Sequence, residues 1–316
     1  MRRVGIVGAG RIGRLHAANA GRVGLQVATV ADARPEAAAE LAEQVGARVA
    51  DGFDGLDAVI VCSPPDAHAE VVEAAAAAGA HVFCEKPLAP DLEGCDRAIE
   101  ACERAGVVLQ VGFQRRFDGS FRALREAVES GKIGEPVLLR ASSRDPYEPP
   151  PTYGASIFVD STIHDLDLAR YLVGSEIVEV SARAAKLATP DPHADTAVTT
   201  LVFASGALGA IDNCWQSSYG YDQRVELHGT SGMAAAANEQ AATTVVADAE
   251  GFHAPVLPHF FLERYAQAYV RELEAFAAAI DGGPVLVDGR DGRAALAAAL
   301  AAKQSAEQGG APVRLA

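Results

Sequence analysis

An aspartate and a histidine stand four residues apart in the segment 158–167, whose composition predicts a helix. Residues four apart on a helix project from the same face, so Asp160 can hold one ring nitrogen of His164 while the other takes up a proton. That arrangement is an oriented general base. On an arbitrary helix such a pair usually lies on the solvated surface, but here most neighbouring side chains are apolar. We therefore expect both groups to be partly buried, where polar groups need partners or a purpose.

A lysine in the motif Glu85-Lys86-Pro87 is the second candidate for chemistry. It follows a predicted strand at 81–84, and ligands of doubly wound sheets bind at the carboxyl ends of the strands. A lysine at such a position can donate a hydrogen bond to the reacting oxygen of a substrate. The motif indicates dehydrogenase chemistry if the chain also binds a redox cofactor.

The turn Gly8-Ala-Gly10-Arg-Ile-Gly13 predicts that cofactor, because it directly follows the predicted strand 4–7 and opens a helix. In a dinucleotide fingerprint the first glycine permits a tight turn and the second lets the backbone approach the pyrophosphate. The third allows close packing of helix on strand, and the positive end of the helix dipole faces the phosphates. Asp32 follows the second predicted strand, where the fingerprint expects an acid for the adenosine ribose hydroxyls.

This acid favours NAD over NADP, because a 2′-phosphate beside Asp32 would meet a like charge. Arg34 can bind such a phosphate, so NADP stays the less favoured alternative. The predicted cofactor site also includes residues of the turn and residues that follow the predicted strands 58–62 and 81–84. These residues are Arg11, Ile12, Ser63, His68, Glu85 and Lys86. His68 also has an ordinary structural explanation, as a first-turn residue of the next helix.

Composition disfavours several classes of protein. The chain has 316 residues, a net charge of −15 and a pI near 4.9. Nucleic acid and anionic membranes are therefore not expected as partners, since both attract clustered positive charge. No apolar run approaches the roughly 20 residues of a membrane span, and no leader peptide is evident. The five cysteines lack metal-ligand spacing, so we predict no metal site and expect free thiols in the cytoplasm.

Two domains are predicted. Residues 1–118 alternate short apolar strands with alanine-rich helices, which indicates an α/β Rossmann domain with a doubly wound parallel sheet that binds NAD. The predicted strands are 4–7, 27–30, 58–62, 81–84 and 107–111, and the predicted helices are 12–20, 35–45, 67–78 and 92–105. Residues 119–316 are predicted to form an α+β domain with an open, mainly antiparallel sheet. Its predicted helices are 120–130, the Asp/His segment, 260–280 and 292–307.

These features resemble those of one family over nearly the whole chain. That family is the glucose–fructose oxidoreductase/inositol dehydrogenase (Gfo/Idh/MocA) family, and the similarity is strongest to its bacterial inositol 2-dehydrogenases. The motifs that carry the resemblance are Glu85-Lys86-Pro87, Val111-Gly-Phe-Gln-Arg-Arg-Phe-Asp118, Gly131-Lys-Ile-Gly-Glu-Pro136, Asp160-Ser-Thr-Ile-His-Asp-Leu-Asp167, Tyr219-Gly-Tyr-Asp-Gln-Arg224 and Phe261-Leu-Glu-Arg-Tyr265. The segment that begins at Tyr219 points to the inositol subgroup.

The resemblance implies NAD-dependent oxidation of a secondary alcohol of a cyclitol, from myo-inositol to 2-keto-inositol. His164 would take the hydroxyl proton, Lys86 would hydrogen-bond the reacting oxygen, and Asp160 would orient the group. The implied substrate-binding residues are Lys86, Arg115, Asp160, His164, Tyr219 and Tyr221. Gln114 would lie near the nicotinamide. The resemblance also implies a homotetramer packed through the open sheets of the second domain, and a cis Lys-Pro bond.

Two features depart from the family pattern and fall near the expected substrate site. The family's Gly-Gly pair is replaced by Tyr153-Gly-Ala-Ser156 in a proline-rich stretch, and Trp215 stands where a small or basic residue is expected. Both bear on the choice of substrate. The alternatives are another inositol isomer, a sugar or a sugar acid as substrate, redox-assisted lyase or glycosidase chemistry, or a non-catalytic NAD(P)-binding sensor. A sensor would be expected to have lost the catalytic residues that this chain retains.

Overall fold

The computed structural model describes residues 1–148, 156–240 and 242–315. The chain forms two compact units, Met1–Phe117 with Gln267–Leu296, and Asp118–Ala266 with Ala297–Ala316. Residues Gln267–Leu296 belong to the predicted second domain, 119–316, but they pack in the first unit. The division into functional domains at 118/119 stays a prediction. Three of the four residues that stand in place of the family's Gly-Gly pair (153–155), and part of the proline-rich stretch, lie outside the described residues.

The first unit is built on a six-stranded sheet in which every neighbouring pair is parallel. Its strands are β1 (Arg2–Val7), β2 (Leu25–Ala31), β3 (Arg48–Val49), β4 (Ala58–Val61), β5 (His81–Glu85) and β6 (Leu109–Gly112). Their order is β3-β2-β1-β4-β5-β6. This is the Rossmann order, whose direction reverses between β1 and β4 and leaves a ligand crevice at the carboxyl ends. The predicted α/β class is confirmed.

Four helices connect these strands and begin and end where local sequence dictates. They are α1 (Arg11–Ala20), α2 (Pro35–Val45), α3 (His68–Ala77) and α4 (Leu92–Ala105). Helix α2 begins with a proline at its first turn and ends at Gly46, which has a φ of +68°. At α4, the Asp91 side chain accepts a hydrogen bond from the Gly94 N–H. The predicted bounds of α2 and α4 match the structure.

The second unit contains a seven-stranded sheet. Its strands are β7 (Pro136–Arg144), β8 (Ile177–Ala185), β9 (Thr196–Phe203), β10 (Leu208–Cys214), β11 (Asp222–Gly229), β12 (Met233–Ala236) and β15 (Val313–Arg314), and a separate hairpin pairs β13 (Val246–Asp248) with β14 (Gly251–His253). The order in the sheet is β12-β11-β7-β10-β9-β8-β15. The β7–β10 pair is parallel and the other pairs of the sheet are antiparallel. The predicted, mainly antiparallel sheet is confirmed. Burial alternates along β9 and β10, so one face of the sheet is covered and the other is open.

Helices α5 (Gly119–Glu129) and α6 (Ile163–Val173) belong to this second unit. Asp118 caps α5, because its carboxylate accepts hydrogen bonds from the Ser120 and Phe121 N–H groups. The segment with Asp160 and His164 differs from the predicted uniform α-helix. It opens with one π-helical turn, Phe158–Thr162, and continues as α6. Such turns are rare and often mark functional sites.

The predicted helix 260–280 is divided into α7 (Phe261–Arg264) and α8 (Ala266–Ile280). The break falls at Tyr265, whose fully buried ring contacts Phe121 and Tyr221 in the second unit. Beyond the break, the apolar side chains of α8 join the core of the first unit together with residues of β1, β2 and α2. The last helix, α9 (Gly289–Glu307), begins three residues earlier than predicted. None of the helices in the described ranges is long and apolar enough to cross a membrane.

Candidate active site

The glycine turn between β1 and α1 has the backbone that a dinucleotide requires. Gly8 has a φ of +101°, and a Cβ there would lie 2.4 Å from the Cys62 carbonyl carbon. A Cβ on Gly13 would lie 1.8 Å from the Gly8 carbonyl oxygen, so only glycine permits this approach of helix to strand. A Cβ on Gly10 would instead point into open space. Gly10 occupies the N-cap position of α1, where no side chain accepts a hydrogen bond from the first N–H groups of the helix. The open cradle and the uncapped helix N-terminus fit a pyrophosphate.

Asp32 lies at the carboxyl end of β2 and is held by the backbone. Its two carboxylate oxygens accept hydrogen bonds from the N–H groups of Ala9, at 2.7 Å, and Arg34, at 2.8 Å. Burial opposes ionisation of Asp32, but these hydrogen bonds and the charge of Arg34 outweigh it and lower its pKa. Oδ2 keeps a further lone pair for a ribose hydroxyl, whereas Oδ1 also accepts a longer hydrogen bond from Arg34 Nε. The Arg34 guanidinium is mostly exposed and leans toward Asp32, with a separation of 3.4 Å.

His68 links the ends of β4 and β5. Its Nδ1 lies 2.8 Å from the Pro87 carbonyl oxygen and its Nε2 lies 2.7 Å from that of Ser63. The ring is almost fully buried, and this burial lowers the pKa of His68 against the opposing effect of the two carbonyls. His68 therefore fixes the two loops that reach the predicted cofactor site. Next to it, the buried hydroxyl of Ser63 has no hydrogen-bond partner in the described chain, as expected of a group that a ligand would satisfy.

Glu85 ends β5, Lys86 follows it, and the peptide bond from Lys86 to Pro87 is cis. The Glu85 carboxylate lies over Gly112 of β6, where an added Cβ would be 3.0 Å from it. Its Oε1 is 2.6 Å from Nε2 of the fully buried His16. Sequence reasoning missed the contribution of His16, which lies 69 residues away in the chain. Lys86 is half-buried.

Gln114 and Arg115 lie in a 3-10 turn, Gln114–Phe117, directly after β6, and both are buried. The neighbouring Arg116 forms hydrogen bonds of 3.1 and 2.9 Å with the two carboxylate oxygens of Asp291 at the start of α9. Arg116 thus anchors this turn to α9 within the first unit. The roles of Gln114 and Arg115 toward cofactor and substrate stay predictions.

In the second unit, Asp160 and His164 are both half-buried on the π-helical turn and the first turn of α6. The Ser156 N–H donates a 3.1 Å hydrogen bond to Asp160 Oδ2. The two predicted catalytic side chains of this unit therefore share one short, largely buried segment.

A buried polar network that the sequence analysis did not identify anchors this segment to the sheet. Asn213 of β10 donates a 2.8 Å hydrogen bond from Nδ2 to Asp165 Oδ2 and accepts one of 2.7 Å from the Thr162 hydroxyl. Asp165 also accepts a 2.7 Å hydrogen bond from the Ser143 hydroxyl of β7. All four side chains are at least 97% buried. The network fixes residues on both sides of His164.

Trp215 directly follows β10 and makes a second contact with the same segment. Its indole N–H donates a 2.7 Å hydrogen bond to the Ser161 hydroxyl, next to Asp160. The unusual residue noticed in the sequence thus contacts the segment that carries the candidate base. We conclude that its side chain is part of the packing around that segment.

The two predicted tyrosines occupy different surroundings within this unit. Tyr219 is half exposed, and its hydroxyl donates a 2.7 Å hydrogen bond to Asp222 and accepts one of 3.2 Å from Arg144. It lines an open pocket with Asp222. Tyr221 is buried and packs edge-on against Tyr265, with ring centroids 5.9 Å apart. Substrate contact by either tyrosine stays a prediction.

The glycine turn, the acid that ends β2 and the Rossmann strand order together define a dinucleotide-binding oxidoreductase. The chain matches the model of the oxidoreductase family with an NAD-binding Rossmann fold over residues 2–113. It matches the GFO/IDH/MocA C-terminal domain over residues 121–235. The chain belongs to the GFO/IDH/MocA family, as its motifs predicted, and its cofactor is NAD.

Several well-described proteins are similar over the full length. The chain is 43% identical to a myo-inositol 2-dehydrogenase of Thermotoga maritima, covering 97% of this chain and 96% of that protein. It is 42% identical to an inositol 2-dehydrogenase of Rhizobium meliloti, covering 96% of each. The crystal structure of scyllo-inositol dehydrogenase from Lactobacillus casei, with bound NAD(H) and scyllo-inositol, superposes with a TM-score of 0.91 at 28% identity and covers 99% of both chains.

Proposed function

We propose that this protein is an inositol 2-dehydrogenase that oxidises the secondary alcohol of myo-inositol to 2-keto-inositol. The observation that carries the proposal is the presence of Lys86, Asp160 and His164 in a chain whose full-length relatives include inositol 2-dehydrogenases. Those relatives include enzymes for myo- and for scyllo-inositol, so a second isomer is the nearest alternative substrate.

The proposed chemistry assigns one role to each side chain. His164 accepts the proton of the substrate hydroxyl as the C–H bond of the carbon that bears this hydroxyl breaks, which leaves a ketone. Lys86 donates a hydrogen bond to the oxygen on which negative charge develops. Asp160 orients and polarises the reacting group. Bound NAD+ supplies the acceptor for the hydride at C4 of the nicotinamide. Protons and electrons balance, since one hydride and one proton leave the alcohol.

The local structure supports these roles within each unit. The bonds from Asn213 and Trp215 hold the segment with Asp160 and His164, and rigid support of reacting groups is what acid–base catalysis requires. In the other unit, Lys86 adjoins a carboxylate fixed by His16 and a loop fixed by His68. Arg115, Gln114, Tyr219 and Tyr221 are proposed contacts of substrate and cofactor on the basis of the family resemblance.

Assembly and location belong to the same proposal. We expect a cytoplasmic homotetramer that packs through the open face of the seven-stranded sheet. Val198, Leu208 and Met233 are each more than half exposed on that face, and large exposed apolar patches usually mark interfaces. Light scattering coupled to size-exclusion chromatography measures the assembly. A monomer at micromolar concentration would contradict it.

The direct test is the absorbance of NADH formed from NAD+ with myo-inositol, scyllo-inositol, other inositols, glucose and sugar acids. Strong turnover with an inositol supports the proposal, whereas NAD binding without turnover of any member would favour the sensor. Conversion of a substrate without net formation of NADH would favour redox-assisted lyase or glycosidase chemistry. Lys86→Ala and His164→Ala should each lower kcat by about 10²–10⁴-fold. The exposed residues Lys303 and His193 provide matched controls, and their alanine variants should keep wild-type turnover.

A further inference from the structure

Three titratable side chains from distant parts of the sequence meet inside the first unit. They are His16 of α1, Glu85 at the end of β5 and Glu272 of α8, and we call them the buried carboxyl cluster. One nitrogen or oxygen atom from each lies within 4.8 Å of the others. His16 and Glu272 have no exposed surface, and Glu85 is about one-eighth exposed. A histidine and two carboxyl groups this close must share their protons, or a cation, in a defined way.

Of the two carboxyl groups in the cluster, Glu272 has fewer interactions that would stabilise a negative charge. Neither of its carboxyl oxygens has a hydrogen-bond partner among the described residues. Burial raises the pKa of Glu272 well above its usual value, and the negative charge of Glu85 raises it further. The thiols of Cys62 and Cys84 also lie close by, and burial raises the pKa of both, so they stay neutral and offer Glu272 no compensating charge. The one basic group in the cluster, His16, is already hydrogen-bonded to Glu85.

A metal ion is the other way to satisfy such a cluster, and the distances disfavour it. His16 Nε2 and Glu85 Oε1 are 2.6 Å apart, the length of a strong hydrogen bond. Two ligands of a tetrahedral zinc ion, each about 2.0–2.1 Å from it, lie more than about 3 Å apart. The pair is therefore arranged around a shared proton, and Glu272 is left as a carboxyl group that needs a proton of its own.

We propose that Glu272 is a neutral carboxylic acid at neutral pH and acts as a positioning residue for Glu85, so that the cluster carries a single negative carboxylate beside Lys86. The Glu272 O–H can donate toward the Glu85 carboxylate directly after a small side-chain rotation or through one buried water. When Glu272 loses its proton at high pH, a second negative charge enters the cluster. The nicotinamide ring is cationic in NAD+ and neutral in NADH, so that charge favours NAD+ over NADH. This cofactor effect rests on the proposed cofactor contact of Glu85.

Infrared spectroscopy of the whole protein tests the protonation without any substrate. A protonated carboxylic acid has a C=O stretching band that ionised carboxylates lack. With glutamate carboxyl groups labelled with ¹³C, wild type should show this band at pH 7 and lose it only at much higher pH, and Glu272→Gln should lack it. Glu274 lies on the exposed side of the same helix, so Glu274→Gln should keep the band. Absence of the band from labelled wild type overturns the proposal even if Glu272→Gln does not fold.

Cofactor binding tests the consequence. The ratio of the Kd for NADH to that for NAD+ should rise by roughly three- to tenfold in wild type as Glu272 ionises, and should stay level in Glu272→Gln. Equal pH dependence in both proteins overturns the coupling to the cofactor. Zinc titration is the last test. If wild type bound one zinc ion per chain and Glu272→Gln bound none, the cluster would hold a metal ion in place of the proton, and the proposal would be overturned. None of these readouts uses an inositol, so they fail or succeed independently of the proposed substrate.

Discussion

Asn213→Asp is the sharpest test of the network that anchors the Asp160/His164 segment. The substitution keeps the size of the side chain and an acceptor for the Thr162 hydroxyl, but it replaces the N–H₂ donor to Asp165 by a second carboxyl group. The two groups would face each other at about the present 2.8 Å. Two charges at that distance repel by about 6 kcal/mol at an effective dielectric constant near 20.

Protonation limits this penalty. Keeping one carboxyl group protonated costs about 1.4 kcal/mol for each pH unit above its ordinary pKa of about 3.9, which gives about 1.5 kcal/mol at pH 5 and about 4 kcal/mol at pH 7. The sign follows from linkage. The pair raises a carboxyl pKa in the folded state, so the proton-bound pair is fully stable below the unfolded pKa and loses stability as the pH rises toward the folded pKa. The variant should therefore be destabilised progressively between pH 4 and 7.

Thermal or urea unfolding of both proteins at several pH values measures the effect. Asn213→Ala is the matched control, because it also removes the donor to Asp165 but introduces no charge. Its penalty of about 1–3 kcal/mol for each buried group left unpaired should change little with pH. If the Asn213→Asp penalty were as independent of pH as that of the control, the two side chains would not be in contact as described.

Three further changes test the cofactor half and the substrate half. Asp32→Ala removes a charged acceptor predicted to bind the ribose, and should weaken NAD binding by roughly 10- to 100-fold in calorimetry; unchanged affinity would mean that the fingerprint acid is misassigned. Trp215→Phe removes the indole N–H donor to Ser161 together with part of the ring volume and should raise KM or lower kcat by about tenfold or less; Ser161→Ala should give no larger a loss, and the double variant should lose less than the sum of the two. Gly112→Ala places a methyl group 3.0 Å from the Glu85 carboxyl group and should lower NAD affinity while Tm changes by a few degrees at most; a large fall in Tm with normal NAD binding would give this glycine a purely structural role.

Local sequence was sufficient where one short segment determines its own structure. The turn that begins at Gly8 and the helix at Pro35–Val45 were predictable, because glycine conformation, proline at a helix start and apolar periodicity act over a few residues. The break at Tyr265 was not, because it depends on aromatic partners far away in the chain. The π-helical turn that holds Asp160 escaped prediction because its composition suits an ordinary helix equally well.

The residues that hold the site in place were also not predictable, because they too depend on partners far away in the chain. The role of Asp165 was not predictable from its own segment, because its partners Asn213 and Ser143 lie on two strands. Helical periodicity places Glu272 on the apolar face with Tyr269 and Phe276, and Glu274 on the opposite side, which agrees with their burial, but it does not show that Glu85 and His16 lie beside Glu272. Motifs thus predicted which side chains could react, whereas only the fold shows what holds them.

Two buried acids illustrate how their surroundings assign different roles to the same functional group. Asp165 accepts hydrogen bonds from an amide and a hydroxyl, and it can therefore anchor the segment that carries His164. Glu272 is equally buried and receives no such donor in the described chain, so it must hold a proton or a partner that supplies one. The same substitution, acid to amide, should therefore have unequal effects at the two positions. Asp165→Asn turns an acceptor toward the N–H₂ of Asn213 into a competing donor and should destabilise the protein by about 3–5 kcal/mol. Glu272→Gln replaces a neutral acid by a neutral amide and should cost about 1 kcal/mol or less near pH 7, as urea unfolding of the two variants would measure; equal losses would contradict the contrast drawn from their donors.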